Sequence, residues 1–336
     1  MKKILVTGAT GYIGSHTVTN LLKEGYEVIG LDNYSNSHRD TTKSIIQITG
    51  KDFTCLDADI TDYSKLDEIF RHNEISSIIH FAALKSVPES VSSPLEYYEN
   101  NVIGTLNLLK CMIEHKVNNL IYSSSATVYG NSSAVPYSEE AKLSVTNPYG
   151  RTKLICEEII RDFSNAYPDM KFIILRYFNP IGADSSGLLA DRPIGPPLNI
   201  MPNLCNVAIG KQSIFNICGD DFDTPDGSGM RDYIHVSDIA DGHIKAMEFL
   251  EKIKGTRVYN LGSGKPISVI QLVKSFETVN NIKIPTQITK RRDGDVAISY
   301  ADISLASSEL GWIAKKSIQD MCADSYRAAL QACKAD

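Results

Sequence analysis

Residues 2–14 read Lys-Lys-Ile-Leu-Val-Thr-Gly-Ala-Thr-Gly-Tyr-Ile-Gly, and this stretch decides the fold class. The apolar run Ile4-Leu5-Val6 stops at Gly8, which is the signature of a buried parallel strand. Gly8, Gly11 and Gly14 then form a T-G-x-x-G-x-x-G turn. A helix from Ser15 to Glu24 follows, with Val18, Leu21 and Leu22 on one face and Gly25 as its stop. Glycines in such a turn let the backbone approach a pyrophosphate closely. The first helical turn adds free N–H groups and a partial positive charge. A second strand, Val28 to Leu31, ends at Asp32, eighteen residues after Gly14. A carboxylate there accepts both hydroxyls of an adenosine ribose and repels a 2′-phosphate, so the pattern expects NAD rather than NADP. Asp59 and Ile60, after the third strand, are expected beside the adenine.

Working outward, strands and helices alternate: a strand at Phe53 to Leu56, a helix at Ser64 to His72, a strand at Ile78 to Phe81. A long helix is expected from about Leu95 to His115, then a strand at Leu120 to Ser123, a helix from Tyr149 to Ala166 and a strand from Phe172 to Leu175. Such alternation means βαβ units and a parallel sheet covered on both faces, an α/β class with a Rossmann-type doubly wound sheet. Residues 181–232 change character and are rich in Gly, Pro, Asp and Asn. Residues 234–262 resume the first pattern with a helix at Val236 to Leu250 and a strand at Val258 to Leu261. The expected division is residues 1–180 plus 234–262 as the nucleotide domain. Residues 181–233 plus 263–336 form a smaller mixed α/β substrate domain, with the site in the cleft between them.

The 336 residues exceed the roughly 150 of an average domain, consistent with two domains. A hydrophobic content of 43% with 22% charged residues excludes a mainly disordered chain. The net charge of -6, with no basic run longer than a pair, argues against a nucleic-acid partner. Apolar stretches fall far short of the roughly 18 residues a membrane span needs. The leader-like Met1-Lys2-Lys3 has only three apolar residues behind it, so no signal peptide is expected. Seven cysteines without a C-x-x-C spacing, and seven histidines without an i,i+4 pair, give no metal site or disulfide framework. They fit a reducing cytoplasm. Asn131-Ser132-Ser133 is a formal glycosylation sequon, read as a surface turn.

Tyr149 and Lys153 form Y-x-x-x-K at a helix start, where side chains four apart share a face about 6 Å apart. A free tyrosine titrates near 10 and is a poor base. A neighbouring ammonium and a cationic nicotinamide both favour the phenolate, and bringing the phenol to about 7 requires roughly 4 kcal/mol. The pair is common as an isolated pattern. Here it follows Ser123-Ser124-Ser125-Ala126-Thr127-Val128-Tyr129-Gly130, a hydroxyl run at the carboxyl end of a strand, where ligands of open α/β sheets bind.

These features carry a resemblance. The glycine turn and a serine 24 residues before Tyr149 are similar to the extended short-chain dehydrogenase/reductase superfamily. Longer strings narrow it: GYIGSH (11–16), LDN (31–33), HFAALK (80–85), PLEYY (94–98), SSSATVYG (123–130), LRYFNP (175–180) and RDYIHV (231–236). Over essentially its whole length the chain resembles the UDP-glucose 4-epimerase family.

The resemblance implies NAD-dependent epimerisation at C4 of UDP-hexoses. Tyr149 would take the proton of the sugar 4-hydroxyl as hydride leaves C4 for a permanently bound NAD. Ser125 would hydrogen-bond the same oxygen, and Lys153 would hold the nicotinamide ribose. The transient 4-keto sugar, tethered through UDP, would swing over and receive the hydride on its other face. The implied NAD contacts are Gly8, Gly11, Tyr12, Ile13, Gly14, Asp32, Asn33, Asn36, Ser37, Asp59, Ile60, Phe81, Ala82, Lys85, Asn100, Ser123, Tyr149, Lys153 and Tyr177. The implied UDP-sugar contacts are Ser125, Phe178, Asn179, Asn199, Ile200, Asn216, Cys218, Arg231, Tyr233, Arg292 and Asp295, with Ser299 beside the sugar. Arg231 and Arg292 suit a diphosphate because guanidinium forks onto phosphate oxygens; a domain-interface ion pair is the other use of either. A surface-loop lysine is the other reading of Lys85, but a bound pyrophosphate explains it better.

Two positions depart from the family pattern. Cys218 stands where an aromatic stacking residue is usual, and Ser299 where some members carry a tyrosine. The open space at Ser299 implies that UDP-GlcNAc and UDP-GalNAc are accepted alongside UDP-glucose and UDP-galactose. A homodimer through helices 95–115 and 149–166 is implied as well. The rival readings are a nucleotide-sugar 4,6-dehydratase, a dehydrogenase that releases reduced NAD, and a non-catalytic NAD-sensing scaffold. Dehydratases carry Thr-Asp-Glu where this chain has Ser125-Ala126-Thr127. A scaffold would lack the Tyr or Lys that are both present here.

Overall fold

The computed structural model describes residues 3–131, 135–292 and 294–335. Met1 and Lys2 of the leader-like start, and Ser132 and Ser133 of the sequon, lie outside the described residues. The chain forms two compact units. The first is Met1–Gly130, Lys142–Tyr177 and Ala240–Tyr259; the second is Asn131–Ala141, Phe178–Ile239 and Asn260–Asp336.

The first unit is built on a seven-stranded sheet: β1 (Lys3–Thr7), β2 (Val28–Asp32), β3 (Thr54–Asp57), β4 (Ile75–His80), β5 (Asn119–Ser125), β6 (Lys171–Tyr177) and β10 (Gly255–Leu261). Their order is β10-β6-β5-β4-β1-β2-β3. The pairings from β6 to β3 are parallel, with Val6 opposite both Gly30 and Ile79. The order reverses direction at β1, the topological switch point of a doubly wound sheet, and the carboxyl ends of β1 and β4 meet there. The helices are α1 (Tyr12–Lys23), α2 (Thr41–Thr49), α3 (Tyr63–His72), α4 (Val87–Ser92), α5 (Pro94–Tyr97), α6 (Gly104–Glu114), α7 (Pro148–Ala166) and α9 (Val236–Leu250). Ile4, Leu5 and Val6 are buried, as a strand covered on both faces requires. Leu5 joins Leu31, Ile78, Leu120, Phe172 and Ile174 in one core. Truncating such a leucine costs about 2–5 kcal/mol.

The long helix expected over 95–115 is a corrected expectation. It is split into α5, a π-helical turn at Tyr98–Ile103, and α6. The reason lies at Asn101. Its amide accepts from the Leu84 N–H at 2.8 Å and donates to the Leu84 carbonyl at 3.0 Å, and the π-turn, which fits an extra residue into the helix, includes this position. The structure adds two helices to the expected alternation, α2 and α4. α1 starts at Tyr12 rather than Ser15, because Gly11 already serves as its N-cap.

The second unit holds β7 (Asn179–Ile181), β8 (Phe215–Cys218), β9 (Met230–His235), β11 (Pro266–Ser268), β12 (Thr286–Thr289) and β13 (Ile298–Ser299). Around β9, β7 and β13 run parallel and β11 antiparallel; β12 pairs in parallel with β8 as a separate ribbon. Helices α8 (Ile200–Ala208), α10 (Val269–Asn280) and α11 (Ile318–Ala335) complete this mixed α/β unit. Its own core includes Leu204, Phe215, Tyr233, Leu272, Phe276 and Met321. No described helix is long and apolar enough to cross a membrane.

Candidate active site

The glycine turn has the shape its sequence implies. Gly8 adopts φ +67, a left-handed conformation, and a Cβ there would lie 2.8 Å from the Ala82 nitrogen. A Cβ on Gly14 would lie 2.0 Å from the Gly8 carbonyl oxygen, so helix and turn meet backbone to backbone. Gly11 caps α1 without a side chain, which leaves the first-turn N–H groups to other acceptors. Beneath the turn, Thr7 Oγ1 lies 2.7 Å from His80 Nδ1 and accepts from the Ala82 N–H at 3.3 Å. Burial pushes His80 down to about 3, so the ring is neutral.

Asp32 ends β2 and orders the next loop. Its carboxylate accepts from the N–H groups of Thr10 (3.0 Å) and Tyr34 (2.9 Å) and from Ser37 Oγ (2.9 Å). Asn33 Nδ2 donates to Asp59 at 2.7 Å. Burial works to raise the Asp59 carboxyl, but hydrogen bonds from Thr61 and Asn33 prevail and hold it below its usual value. Ile60 is buried next to it, and Asn36 is exposed on the loop. This donor set and the glycine cradle fit a dinucleotide: N–H groups for the pyrophosphate and carboxylates for ribose hydroxyls. At the end of β4, the Phe81 ring lies 4.7 Å from His243, whose Nε2 is 2.6 Å from the Tyr177 hydroxyl. Asn100 Nδ2 donates to Asn101 at 2.9 Å, and exposed Lys85 approaches the Tyr12 ring at 6.0 Å.

α7 delivers the catalytic candidates. Asn147 caps it by accepting from the Gly150 N–H at 2.8 Å, and Pro148 opens the first turn. Tyr149 therefore sits in that turn and Lys153 one turn on. Lys153 is 3% exposed, donates from Nζ to the Ser123 carbonyl at 2.7 Å, and lies 6.0 Å from the Tyr149 ring centroid. Burial lowers its ammonium to about 8, with Cys156 and Glu157 opposing. Burial raises Tyr149 to about 12, and the opposing influence is its hydrogen bond with Ser125 rather than Lys153. Ser125 Oγ also accepts from the Thr127 N–H (3.2 Å) and hydroxyl (3.0 Å).

Sequence reasoning missed the supports behind these groups. Glu157, four residues beyond Lys153, is fully buried. It accepts from Ser124 Oγ at 2.6 Å and pairs with Arg176 of β6 through Nε (3.0 Å) and Nη2 (2.6 Å). Arg176 also donates to the Tyr129 hydroxyl at 3.0 Å. Asn101 Nδ2 donates to Thr152 Oγ1 at 3.0 Å, joining the π-turn to α7. The available signals were a glutamate one turn beyond Lys153 and an arginine inside an otherwise apolar strand.

In the second unit, β9 gathers several candidates. Arg231 and Tyr233 share one face of the strand, since alternate residues point the same way. Arg231 Nη2 lies 3.4 Å from Asp295, and Ser299 of β13 is in register with Arg231. Burial raises the Tyr233 phenol, with Arg231 opposing. Asn179 opens β7 opposite Tyr233. Phe178 donates its N–H to the Leu261 carbonyl at 3.1 Å and stacks on Tyr137 at 6.5 Å. Other candidates lie on different elements. Asn199 donates to Asp191 at 2.9 Å and precedes Ile200 at the start of α8. Asn216 and Cys218 alternate with the buried Phe215 and Ile217 on β8, so they face away from the core. Gln287 donates to Asn216 at 2.6 Å, and Thr289 Oγ1 lies 3.7 Å from the Cys218 sulfur. Arg292 is exposed.

One group of possible ion ligands among the described residues, Asp67, Glu114 and His115, lies apart from these candidates on α3 and at the end of α6. Arg71 and His115 engage Asp67, and the Tyr63 hydroxyl donates to Glu114.

A family model described as GDP-mannose 4,6 dehydratase matches residues 5–325. The UDP-glucose 4-epimerase of Bacillus subtilis (strain 168) is 48% identical over 324 residues, 96% of each chain. The structure of UDP-glucose 4-epimerase from Bifidobacterium longum in complex with NAD+ and UDP matches with a TM-score of 0.96 at 45% identity, over 100% of both chains. The UDP-Glc/GlcNAc 4-epimerase from Campylobacter jejuni matches with a TM-score of 0.86 at 34% identity, over 98% of this chain and 100% of that one. Likeness of this extent and identity, over nearly the whole length, makes the chain a member of the UDP-glucose 4-epimerase family.

Proposed function

We propose that the chain inverts C4 of UDP-hexoses, interconverting UDP-glucose with UDP-galactose and UDP-GlcNAc with UDP-GalNAc, with NAD held by the first unit and UDP by the second. The observation that carries this reading is the grouping of Tyr149, Ser125 and Lys153 at the carboxyl end of β5 and the start of α7. Gly8, Gly11 and Gly14 hold the pyrophosphate of NAD, with Tyr12, Ile13, Ala82 and Lys85 around it. Asp32 and its loop hold the adenosine ribose, as Asp59 and Ile60 hold the adenine. Phe81, Asn100, Ser123, Lys153 and Tyr177 hold the nicotinamide half. When bound, NAD supplies the electron-pair acceptor for C4 and a cationic ring whose field favours the phenolate.

Tyr149 takes the 4-hydroxyl proton onto its phenolic oxygen, and Ser125 Oγ steadies the same sugar oxygen. The resulting 4-keto sugar turns over while UDP stays anchored by Arg231, Arg292 and the surrounding second-unit candidates. Tyr149 then returns the proton to the opposite epimer. The dehydratase reading is disfavoured because Ser125, Ala126 and Thr127 occupy the β5 end and the turn after it, and none offers a carboxyl to act at C5 and C6.

The chain works as a homodimer through 95–115 and 149–166. Support comes from exposed apolar residues in this stretch and just before it: Val91 (65%), Leu95 (67%), Ile103 (46%) and Leu106 (39%). Interconverting these UDP-sugars gives the chain a cytoplasmic place in galactose use and nucleotide-sugar supply. The experiment is Tyr149→Phe. Turnover is expected to fall about 10²–10⁴-fold with NAD still bound; turnover near that of the parent contradicts the reading.

A further inference from the structure

Asp232 lies on β9 between Arg231 and Tyr233, and its side chain points to the opposite face. It is fully buried, yet no arginine or lysine pairs with it among the described residues. Instead, four donors converge on its two oxygens. Oδ1 accepts from the Ser263 N–H (2.7 Å) and hydroxyl (2.6 Å), and Oδ2 from the N–H groups of Gly264 (3.0 Å) and Ala301 (3.1 Å). Room for the carboxylate depends on Gly262, where a Cβ would lie 2.4 Å from Oδ2. One side chain thus ties three segments together: β9, the turn at 262–264, and the stretch after β13. That last stretch is held from its other side as well, because Tyr137 donates its N–H to the Tyr300 carbonyl and accepts from the Asp302 N–H, both at 2.9 Å.

A buried carboxylate satisfied wholly by main-chain and hydroxyl donors fixes backbone positions rather than a charge partner. The positions it fixes are those of Arg231, Tyr233 and Ser299. We propose that Asp232 is a positioning residue for UDP-sugar binding, holding the strand that presents Arg231 and Tyr233 in register with the strand that presents Ser299. This rests on the reading of those three residues as UDP-sugar contacts.

Asp232→Asn is nearly isosteric and chemically decisive. A carboxamide has one oxygen, so either orientation turns an NH2 group onto two of the four donors. The test measures UDP binding to the NAD-loaded enzyme by calorimetry, together with KM, kcat and NAD content, for Asp232→Asn, Ser263→Ala and Arg231→Ala. Asp232→Asn is expected to raise KM and the UDP dissociation constant about tenfold, with kcat within about threefold and NAD content unchanged. Ser263→Ala, which removes one donor, is expected to raise both about threefold. A folded Asp232→Asn with unchanged KM and UDP binding, or with kcat lowered and KM unchanged, overturns the proposal. Should Asp232→Asn not fold, an unchanged KM in Ser263→Ala overturns it. If Arg231→Ala weakens UDP binding while Asp232→Asn does not, only the positioning role fails. If Arg231→Ala binds UDP as the parent does, the underlying contact reading fails and the proposal falls with it.

Discussion

The catalytic candidates of the first unit and the diphosphate-binding candidates of the second are held in opposite ways. In the first, Lys153 is 3% exposed with its ammonium on the Ser123 carbonyl, and burial moves both Lys153 and Tyr149 away from their ordinary titration ranges. In the second, the Arg231 and Asp295 side chains are 19% and 35% exposed, their ion pair spans 3.4 Å, and Arg292 is exposed. Groups that move protons gain from a water-poor site, where neighbouring charges act strongly and the geometry is fixed in advance. Groups that capture a soluble nucleotide diphosphate gain from staying solvated, since little is lost in desolvating them before the ligand arrives. The second unit places its rigidity behind the strand, at Asp232, with Arg231 and its partner Asp295 part-exposed in front.

The contrast is sharpest at Lys153. Folded, its ammonium titrates near 8 against an ordinary value of 10.5. Between those values the unfolded chain binds the proton and the folded chain does not, so stability rises with pH as the folded group loses its charge. Against Lys153→Met, the parent is expected to gain about 2 kcal/mol between about pH 7 and 9.5, below the range in which Tyr149 titrates. Denaturant unfolding of both proteins across that range measures it. A pH-independent difference would mean that the lysine is not buried as the first unit requires.

The counterpart in the second unit is smaller. Ser299 is half-buried on β13 beside Arg231. A tyrosine there would fill space that an acetamido group at C2 of the sugar must cross, and bulk forced into a fitted site costs about 1–3 kcal/mol. Ser299→Tyr is expected to depress UDP-GlcNAc turnover about 5–150-fold while leaving UDP-glucose largely intact. Assays of both substrates with parent and variant decide it. An equal response of the two, or a parent inactive on UDP-GlcNAc, removes Ser299 from the sugar site.

How far the sequence could be read differs between the units for the same physical reasons. The glycine turn, Asp32, and Tyr149 with Lys153 were legible because each depends on local spacing: a turn, a strand end, one helical turn. The π-turn at Tyr98–Ile103 was not, since Asn101 reaches the main chain of Leu84, seventeen residues earlier. Glu157, Arg176 and Asp232 escaped notice because a charged residue in an apolar stretch has meaning only once its partners are known. Those partners come from 19 residues away for Arg176 and up to 69 for Asp232. The burial of Tyr149 was hidden for a related reason. Spacing reports that Lys153 is near, and only the structure reports that burial raises the phenol and that Ser125 is the group opposing it.

In this reaction the C4 hydrogen leaves the sugar with its electrons and comes back to the other face without meeting solvent. The direct measurement supplies UDP-galactose carrying deuterium at C4 to the purified protein, in ordinary water with no added NAD, and follows the product by mass spectrometry and NMR. The expected product is UDP-glucose with the deuterium retained at C4. Deuterium washed out to solvent, a 4-keto-6-deoxy product, or reduced NAD released in proportion to sugar consumed would each contradict it.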